Sequence, residues 1–440
     1  MTSQTDHAAT DPRGRDASAR HRVVITGAGA ITCLGDDVAS TWEAMRDARS
    51  GIAHYETPPF EAYPGEWAVK IAGEVKALDT SGYLEHREAK KLDRSTLFGM
   101  GAAHQAVAQS GLDFGTMNGE RCGVVIGSGI GGIGTIEDSL NALRDKGARR
   151  VNPFTVPKLM VNATAGNVSI KYGLQGPASA HATACASSGH AIGDAMRYIR
   201  RGDCDVMLAG GVEAAITPLC VASFSVMKAL SARNDEPEKA SRPFDTGRDG
   251  FVMAEGGAIF VLESLEHATA RGAEILAELV GFGNSCDSHH ITAPDPNGMG
   301  ATRSMKWAMR DAGIEPGEVD YINAHGTSTP LGDEAEVAAV LGLFGDHARK
   351  SAGGSLLMSS TKGVHGHALG ASGAIEMIAC LHAVRDGVIA PTANLENPDE
   401  SFDIDLVARE ARERPARIAM NNTFGFGGHN TTLILKRFEG

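Results

Sequence analysis

The sequence predicts an α/β fold built from two core-bearing units, and three observations carry that expectation. Apolar, β-branched runs alternate with helical patterns from residue 22 onward. The runs end in glycine-rich turns, as an active site built from loops would require. At 440 residues with 42% hydrophobic content, the chain can fill two cores.

In chain order, "RVVITGAG", "RCGVVIGSG", "CDVMLAGG", "AIFVLESL", "VDYINAHG" and "RIAMNNTFGFGG" read as short buried strands ending in glycine turns. Helical patterns fall between them, over 96–111, 186–201, 300–313 and 368–386, so the sheets are expected to be mostly parallel and covered by helices. Residues 1–20 are polar and lack an apolar core, and read as a disordered tail rather than a signal peptide. A first unit is expected over 21–274. "LAELVGFGNSCDSHH" opens a second at about residue 275, running to 440. A weak internal echo links "ACASSGHAIGDAM" and "GHALGASGAIEMI", which set Cys185 and His367 just before small-residue helices. Two halves of similar design would bring those helix starts face to face.

Composition excludes several classes. The net charge of −13 argues against nucleic acid as the main partner, which would call for a basic face. No apolar run approaches the roughly 18 residues of a membrane span. Seven cysteines, scattered and never paired as C-x-x-C, suit reduced thiols in a cytoplasm and give no zinc signature.

The chemistry concentrates in four clusters. In "HATACASSGH", Cys185 stands among small residues after a turn, at the start of a helix where free N–H groups favour a thiolate. A free cysteine is ordinarily a small buried hydrophobe, and this stretch alone leaves both readings open. "GSGIGG" (127–132) matches a dinucleotide fingerprint formally, but no second strand with an acidic residue follows. A tight loop lining a pocket fits it better. "NAHGTSTPLGDEAE" sets His325 at the end of a strand, and "SSTKGVHGHALGA" sets Lys362 and His367 after another. Crevices at such strand ends hold ligands in α/β folds. His365 and His367 are two apart and H-E-x-x-H is absent, so a metal hydrolase is not expected. "NNTFGFGGHN" is a glycine turn with Phe424 and Phe426, able to aim backbone N–H groups at an oxyanion. One cysteine, two histidines and a lysine fit acyl transfer through a thioester. A cysteine–histidine protease shares the residue types but gives no reason for the second histidine or the lysine.

Taken together, "GSGIGG", "NPFTVPKLMVN", "GPASAHATACASS", "SRPFDTGRDGFVMAEG", "NAHGTSTPLGD", "STKGVHGHALGASGA" and "FGFGGHN" resemble the elongating β-ketoacyl-[acyl-carrier-protein] synthases, from about residue 22 to 437. The resemblance implies a thiolase-like duplicated fold, with two related halves in an αβαβα layered sandwich, as a homodimer. It implies condensation of an acyl thioester with malonyl-[acyl-carrier protein] in fatty-acid elongation, with no cofactor required. Cys185 matches the nucleophile, His325 and His367 the pair acting on the malonyl group, and Lys362 the lysine beside the second histidine. Loss of CO2 leaves an enolate, so such a site needs donors to its oxygen rather than a strong base.

By the same resemblance, the backbone N–H groups of Cys185 and Phe426 form the oxyanion hole. Phe426 is the gate, Ile130 lines the acyl pocket, and Thr327 and Thr329 bind the pantetheine arm. A basic patch of Arg87, Lys90, Lys91, Arg149, Arg150 and Lys228 docks the acidic carrier protein. Some relatives hold a structural Na+ or K+; the matching positions are Asn323, Ala324, Glu376, Asn421 and Asn422. Two positions depart from the family. His365 stands where threonine is usual and neighbours His367, and His429 replaces a common threonine. Three rivals share the architecture. A thiolase needs a second cysteine as base, and "FGFGGHN" has none, while Cys380 lies mid-helix. A catalytically dead chain-length factor would lack Cys185. A polyketide ketosynthase differs in pocket shape, which these motifs do not report.

Overall fold

The computed structural model describes residues 20–56, 60 and 63–440; the tail expected over 1–20 lies outside the described residues but for its last. Ten strands build the architecture. The first half contributes β1 (Val23–Thr32), β2 (Cys122–Gly127), β3 (Ala178–His181), β4 (Val206–Glu213) and β5 (Gly256–Ser264). The second contributes β6 (Ala277–Cys286), β7 (Tyr321–Asn323), β8 (Leu357–Ser359), β9 (Ile418–Gly425) and β10 (His429–Lys436).

Their order is β3-β2-β4-β5-β1 in one half and β8-β7-β9-β10-β6 in the other. By position in each half this is the same order, third-second-fourth-fifth-first. Directions repeat too: the first two ladders are parallel and the last two antiparallel in each half. The halves meet edge to edge where Val24 and Ile25 pair with Glu278 and Ala277. Among these ten strands four ladders are parallel and five antiparallel, which corrects the mostly parallel expectation. Parallel neighbours need long crossovers, whereas the hairpin β9–β10 and the returning strands β5 and β1 do not. Uniform burial hides the difference from sequence, because strands covered on both faces lose their polar alternation.

Helices form three layers around the two sheets. In chain order they are α1 (Arg94–Ser110), α2 (Ile133–Lys146), α3 (Ala163–Tyr172), α4 (Ser187–Arg200), α5 (Met299–Ala312), α6 (Pro330–Phe344) and α7 (Ser372–Asp386). α4 and α7 pack between the sheets, where Ile192 and Met196 meet Ile375 and Ile378 in the central core. α1 and α3 cover the outer face of the first sheet, with Phe98 and Val168 on Ile126 and Val206. α5 and α6 cover the second, with Met305 and Val340 on Met420 and Ile434. Along β5, Phe260 and Leu262 face the central core while Ile259 and Val261 face the outer one. In α7 every residue from Ser372 to Val384 is buried, as a helix enclosed on all sides must be.

Candidate active site

The strand ends assemble one cleft of about 550 Å3, lined by Ile130, Cys185, His325, His367, Phe424 and Phe426 among others. Cys185 sits between β3 and α4. The preceding Ala184 takes φ +50°, a turn that lifts the cysteine out of line with both elements. Ser187 holds this bend: its hydroxyl accepts from Thr183 N (2.9 Å) and donates to Ala184 O (2.6 Å). The facing residue must be Gly425, since a Cβ there would lie 3.0 Å from Cys185 N.

His367 precedes α7 as Cys185 precedes α4, and the two helix starts do meet. His367 Nε2 lies 3.0 Å from Cys185 Sγ, and its Nδ1 lies 2.8 Å from Ser372 Oγ. The His325 ring stands nearly perpendicular to that of His367, with centroids 5.2 Å apart. Lys362, fully buried, reaches His325 from behind. Its ammonium donates to His325 O (2.6 Å), to His325 Nδ1 (3.4 Å) and to Glu376 Oε1. Lysine has donors only, so Nδ1 of His325 must accept and Nε2 must carry the proton. Ser372, by contrast, can rotate its hydroxyl to donate or accept, which leaves both His367 tautomers available.

Electrostatics here are set by burial. Desolvation pushes the Cys185 thiol up to about 12, although Lys362 and the N–H groups of Phe426 and Cys185 oppose it. Removal from water thus outweighs the Lys362 charge and the two N–H groups, and favours a neutral thiol over the standing thiolate that the helix start suggests. Burial, then the Lys362 charge, holds His325 and His367 well below the ordinary histidine range, so both rings are neutral. Burial raises Glu376 to about 7 despite its lysine.

Two further carboxylates escaped sequence reading. Glu336 accepts from His325 N (2.9 Å) and Gly326 N (2.8 Å), fixing the loop that carries His325. Glu213 accepts from Gly129 N (2.7 Å), Ile130 N (3.3 Å) and Gly370 N (3.0 Å), tying the "GSGIGG" loop to the turn before α7. Glu213 ends the apolar strand β4 beside Gly210 and Gly211, and an acidic residue in such company was the available signal. Glu336 lies inside α6, and only the fold brings it to the His325 loop.

The remaining expected residues are placed as follows. Ile130 lines the cleft, with Phe224 packed in the same apolar cluster. Thr327 and Thr329 share a 2.9 Å hydrogen bond in the cleft wall. Phe424 stacks obliquely on His325, with centroids 5.7 Å apart, and Phe426 faces Phe224 at 6.3 Å. The turn carrying Phe426 is strapped to the segment after β6: Gly427 N donates to Ile291 O (2.7 Å), and Asp287 N donates to Gly428 O (2.9 Å). Arg87, Lys90, Lys91, Arg149, Arg150 and Lys228 are all exposed. Lys91 stacks on Phe154 at 5.4 Å, so the 87–91 segment lies against the segment that follows Arg149 and Arg150. His365 bonds Thr361 Oγ1 through Nε2 (3.1 Å) and does not contact the polar atoms of His367.

At the expected cation positions, Asn323 Oδ1, Asn421 Oδ1 and Glu376 Oε2 are buried without hydrogen-bond partners. Asn323 and Asn421 are register partners on the parallel strands β7 and β9. Three orphaned oxygens in one buried region fit a hard cation, since each is costly unless paired. The Asn422 side chain turns to the other face of β9, where it meets Thr432 and Glu336, so only its backbone could serve, as with Ala324.

Residues 20–268 match the family model for the β-ketoacyl synthase N-terminal domain, and residues 276–396 that for the C-terminal domain. The chain belongs to the β-ketoacyl synthases. Among curated relatives of this ketosynthase, "3-oxoacyl-[acyl-carrier-protein] synthase 2" of Coxiella burnetii is 48% identical, covering 95% of this chain and 99% of the relative. The protein of the same description from Synechocystis is 45% identical over 96% of this chain and 99% of its own. A β-ketoacyl synthase from Burkholderia phymatum superposes with TM-score 0.87 at 35% identity, covering 95% of this chain and all of that one. A ketosynthase of a type II polyketide system, solved with its acyl-carrier protein, gives TM-score 0.87 at 31% identity over the same shares. The thiolase-like expectation for the fold thus holds. Among the described residues, no helix is long and apolar enough to cross a membrane.

Proposed function

We propose that this ketosynthase elongates fatty acids, taking an acyl group onto Cys185 and condensing it with malonyl-[acyl-carrier protein] to give 3-oxoacyl-[acyl-carrier protein] and CO2. The curated relatives at 45–48% identity support this activity, and the carrier-bound polyketide neighbour supports a carrier protein as partner. The observation that carries the reading is the 3.0 Å contact between Cys185 Sγ and His367 Nε2 beside the neutral, N–H-bearing His325.

In the first half-reaction the thiol attacks the acyl carbonyl carbon. Its proton moves to His367 Nε2, then to the departing carrier sulfur, so no standing thiolate is needed. In the second, the bond between the malonyl carboxylate and its α-carbon breaks and releases CO2. The electron pair passes to the thioester oxygen, which accepts from His325 Nε2–H and from His367 in its donor tautomer. The enolate carbon then attacks the acyl group on Cys185. The N–H groups of Cys185 and Phe426 receive the oxyanion, and the C–S bond breaks to return the thiol with a proton from solvent. Phe426 closes the malonyl side until the acyl chain fills the pocket near Ile130, and Thr327 with Thr329 holds the pantetheine arm.

The exposed basic residues supply a local positive face to an acidic carrier on an otherwise acidic enzyme. A monovalent cation at Asn323, Asn421 and Glu376, with backbone oxygens of Ala324 and Asn422, would stiffen the floor beneath Lys362. A homodimer and a cytoplasmic setting belong to the same reading. Strand β3 pairs on one side only, and α2 leaves Ile136, Leu140 and Leu143 exposed, as a self-interface would. The test is mass spectrometry of Cys185 after incubation with acyl carriers of graded length. Acyl-Cys185 from saturated chains is expected, with the longest accepted chain shortened by Ile130→Phe. Loading of polyketide intermediates alone, or no mass added at Cys185, would overturn the proposal.

A further inference from the structure

Cys185, His325 and His367 present three ligand atoms within 4.8 Å of one another, the one such cluster found among the described residues. A tetrahedral zinc ion with bonds of about 2.3 Å to sulfur and 2.0–2.1 Å to nitrogen needs donors about 3.3–3.6 Å apart. Rotamer adjustments of about an ångström would reach that spacing. The cleft supplies access and an open fourth position for water. On residue types and geometry, this is an open Cys-His-His metal site set inside a condensing enzyme.

Two of the three donors are supported as metal ligands are. His367 has Nδ1 on the Ser372 hydroxyl, an outer-sphere partner that can accept from Nδ1–H and so leave Nε2 free to ligate. Cys185 faces that same Nε2 at 3.0 Å. The third donor is held in the wrong state. Lys362 has only hydrogens to offer Nδ1 of His325, so the proton sits on the nitrogen facing the cleft, and a protonated nitrogen cannot ligate. The lysine cannot turn away, because its other hydrogens are engaged by His325 O and Glu376. Its buried positive charge also acts on all three donors, lowering the Cys185, His325 and His367 pKa values alike. A divalent ion would meet the same charge with the opposite preference.

We propose that Cys185, His325 and His367 form a latent transition-metal site that Lys362 keeps closed, by fixing His325 as an N–H donor and placing a buried ammonium beside the donors. Lys362 is a positioning residue in this role. It separates a site for enolate chemistry from a site for zinc with a single donor-only side chain. Opening the site would let Zn2+ bind the Cys185 sulfur, the thiol proton passing to buffer, and both Nε2 atoms. Such an ion would block acylation. The inference is independent of which acyl chain the ketosynthase prefers.

The experiment titrates Co2+ and Zn2+ into wild type, Lys362→Met, and Lys362→Met in a Glu376→Gln background. The double variant guards against misfolding from an unpaired Glu376, and circular dichroism checks each fold. In a folded lysine variant we expect one equivalent of Co2+ with near-ultraviolet thiolate-to-cobalt absorption, lost on adding Cys185→Ala. Affinity should exceed wild type by at least about tenfold to a hundredfold, the range by which outer-sphere partners tune metal sites. The exposed Cys286 cancels in the comparison, since it is present throughout. Equal affinity in wild type would remove Lys362 as the guard. No uptake by either folded variant, or uptake that survives Cys185→Ala, would remove the latent site itself.

Discussion

The two halves of the ketosynthase repeat one strand order and one pattern of directions, yet they prepare their reactive residues by opposite means. In the first half, Cys185 is surrounded by backbone and small side chains: Ala184 in its positive-φ bend, Ser187 bracing it, and Gly425 pressed against its amide. In the second half, His325 and His367 rest on buried charge, with Lys362, Glu376 and Glu336 all below a tenth exposed. Duplication therefore supplies the meeting point, the starts of α4 and α7. The chemistry at that point comes from the residues in which the two halves differ. In the proposed reaction, one half would shape space for an acyl carbonyl, and the other would set proton positions for an enolate.

The sharpest way to break this division is to delete one contribution at a time. Cys185→Ala should abolish condensation, because no other thiol lies at the helix start. Malonyl decarboxylation should survive or increase, since the histidine pair is intact. Condensation measured with acyl and malonyl carriers at near wild-type rate would show that the first half does not supply the nucleophile.

The second test reads the proton rather than the residue. With burial holding the thiol near 12, labelling of Cys185 by iodoacetamide should climb about tenfold per pH unit from pH 7 to 10 without levelling. The sign follows from the direction of the shift: the reactive thiolate is the deprotonated form, and its fraction grows until pH passes the raised pKa. A plateau near neutral pH would mean a standing thiolate–imidazolium pair, and the contrast between the halves would then be weaker than described.

Third come the histidines. His325→Ala and His367→Ala should each slow malonyl decarboxylation by about 10²–10³, the usual loss of one oxyanion donor. They should differ in the other half-reaction. His367 is the side chain on the Cys185 sulfur, so its loss should also slow acylation, whereas His325→Ala should leave Cys185 loading intact. Stopped-flow acylation and CO2 release measured on the same preparations separate the two roles.

Much of this was legible in the sequence, for reasons that differ by residue. The helices expected at 186–201 and 300–313 sit at 187–200 and 299–312, because small and apolar residues there leave only one periodicity. His325, Lys362 and His367 were visible because each follows a strand and adjoins a glycine, and Cys185 because it stands among small residues at a helix start. Strand direction was not visible, since uniform burial erases the cue. Nor was the neutrality of Cys185 visible: the helix start is local, while the desolvation that outweighs it comes from segments far apart in the chain. Glu213 shows the same limit, because its partner Gly370 lies 157 residues away.

A smaller effect is expected at the gate. Phe426 sits on a turn whose Gly427 and Gly428 hold φ of +83° and +74°, and whose backbone is tied to Ile291 and Asp287. Phe426→Ala should raise malonyl decarboxylation uncoupled from condensation by a modest factor, leaving labelling of Cys185 unchanged. If uncoupled CO2 release stays at the wild-type level, the ring does not order the half-reactions.

The smallest effect should come from His365→Thr, and it asks how finely the second half separates its charges. In the sequence His365 stands two residues from His367, where threonine is usual in the family. The structure points its Nε2 at Thr361, 3.1 Å away, while His367 is already engaged by Ser372 and Cys185. Burial, then the Lys362 charge, holds the His365 ring at about 3, so it is neutral throughout the working range. A threonine would vacate ring volume in a fully buried site and lower stability, typically by about 1–3 kcal/mol. It should leave the pH profile of decarboxylation where it was. A thermal melt and a pH–rate profile on the same variant separate these outcomes: a lowered melting temperature with an unmoved profile is expected. A displaced profile would mean that His365 takes part in the proton arrangement of the second half, which would then be a three-histidine device rather than a pair.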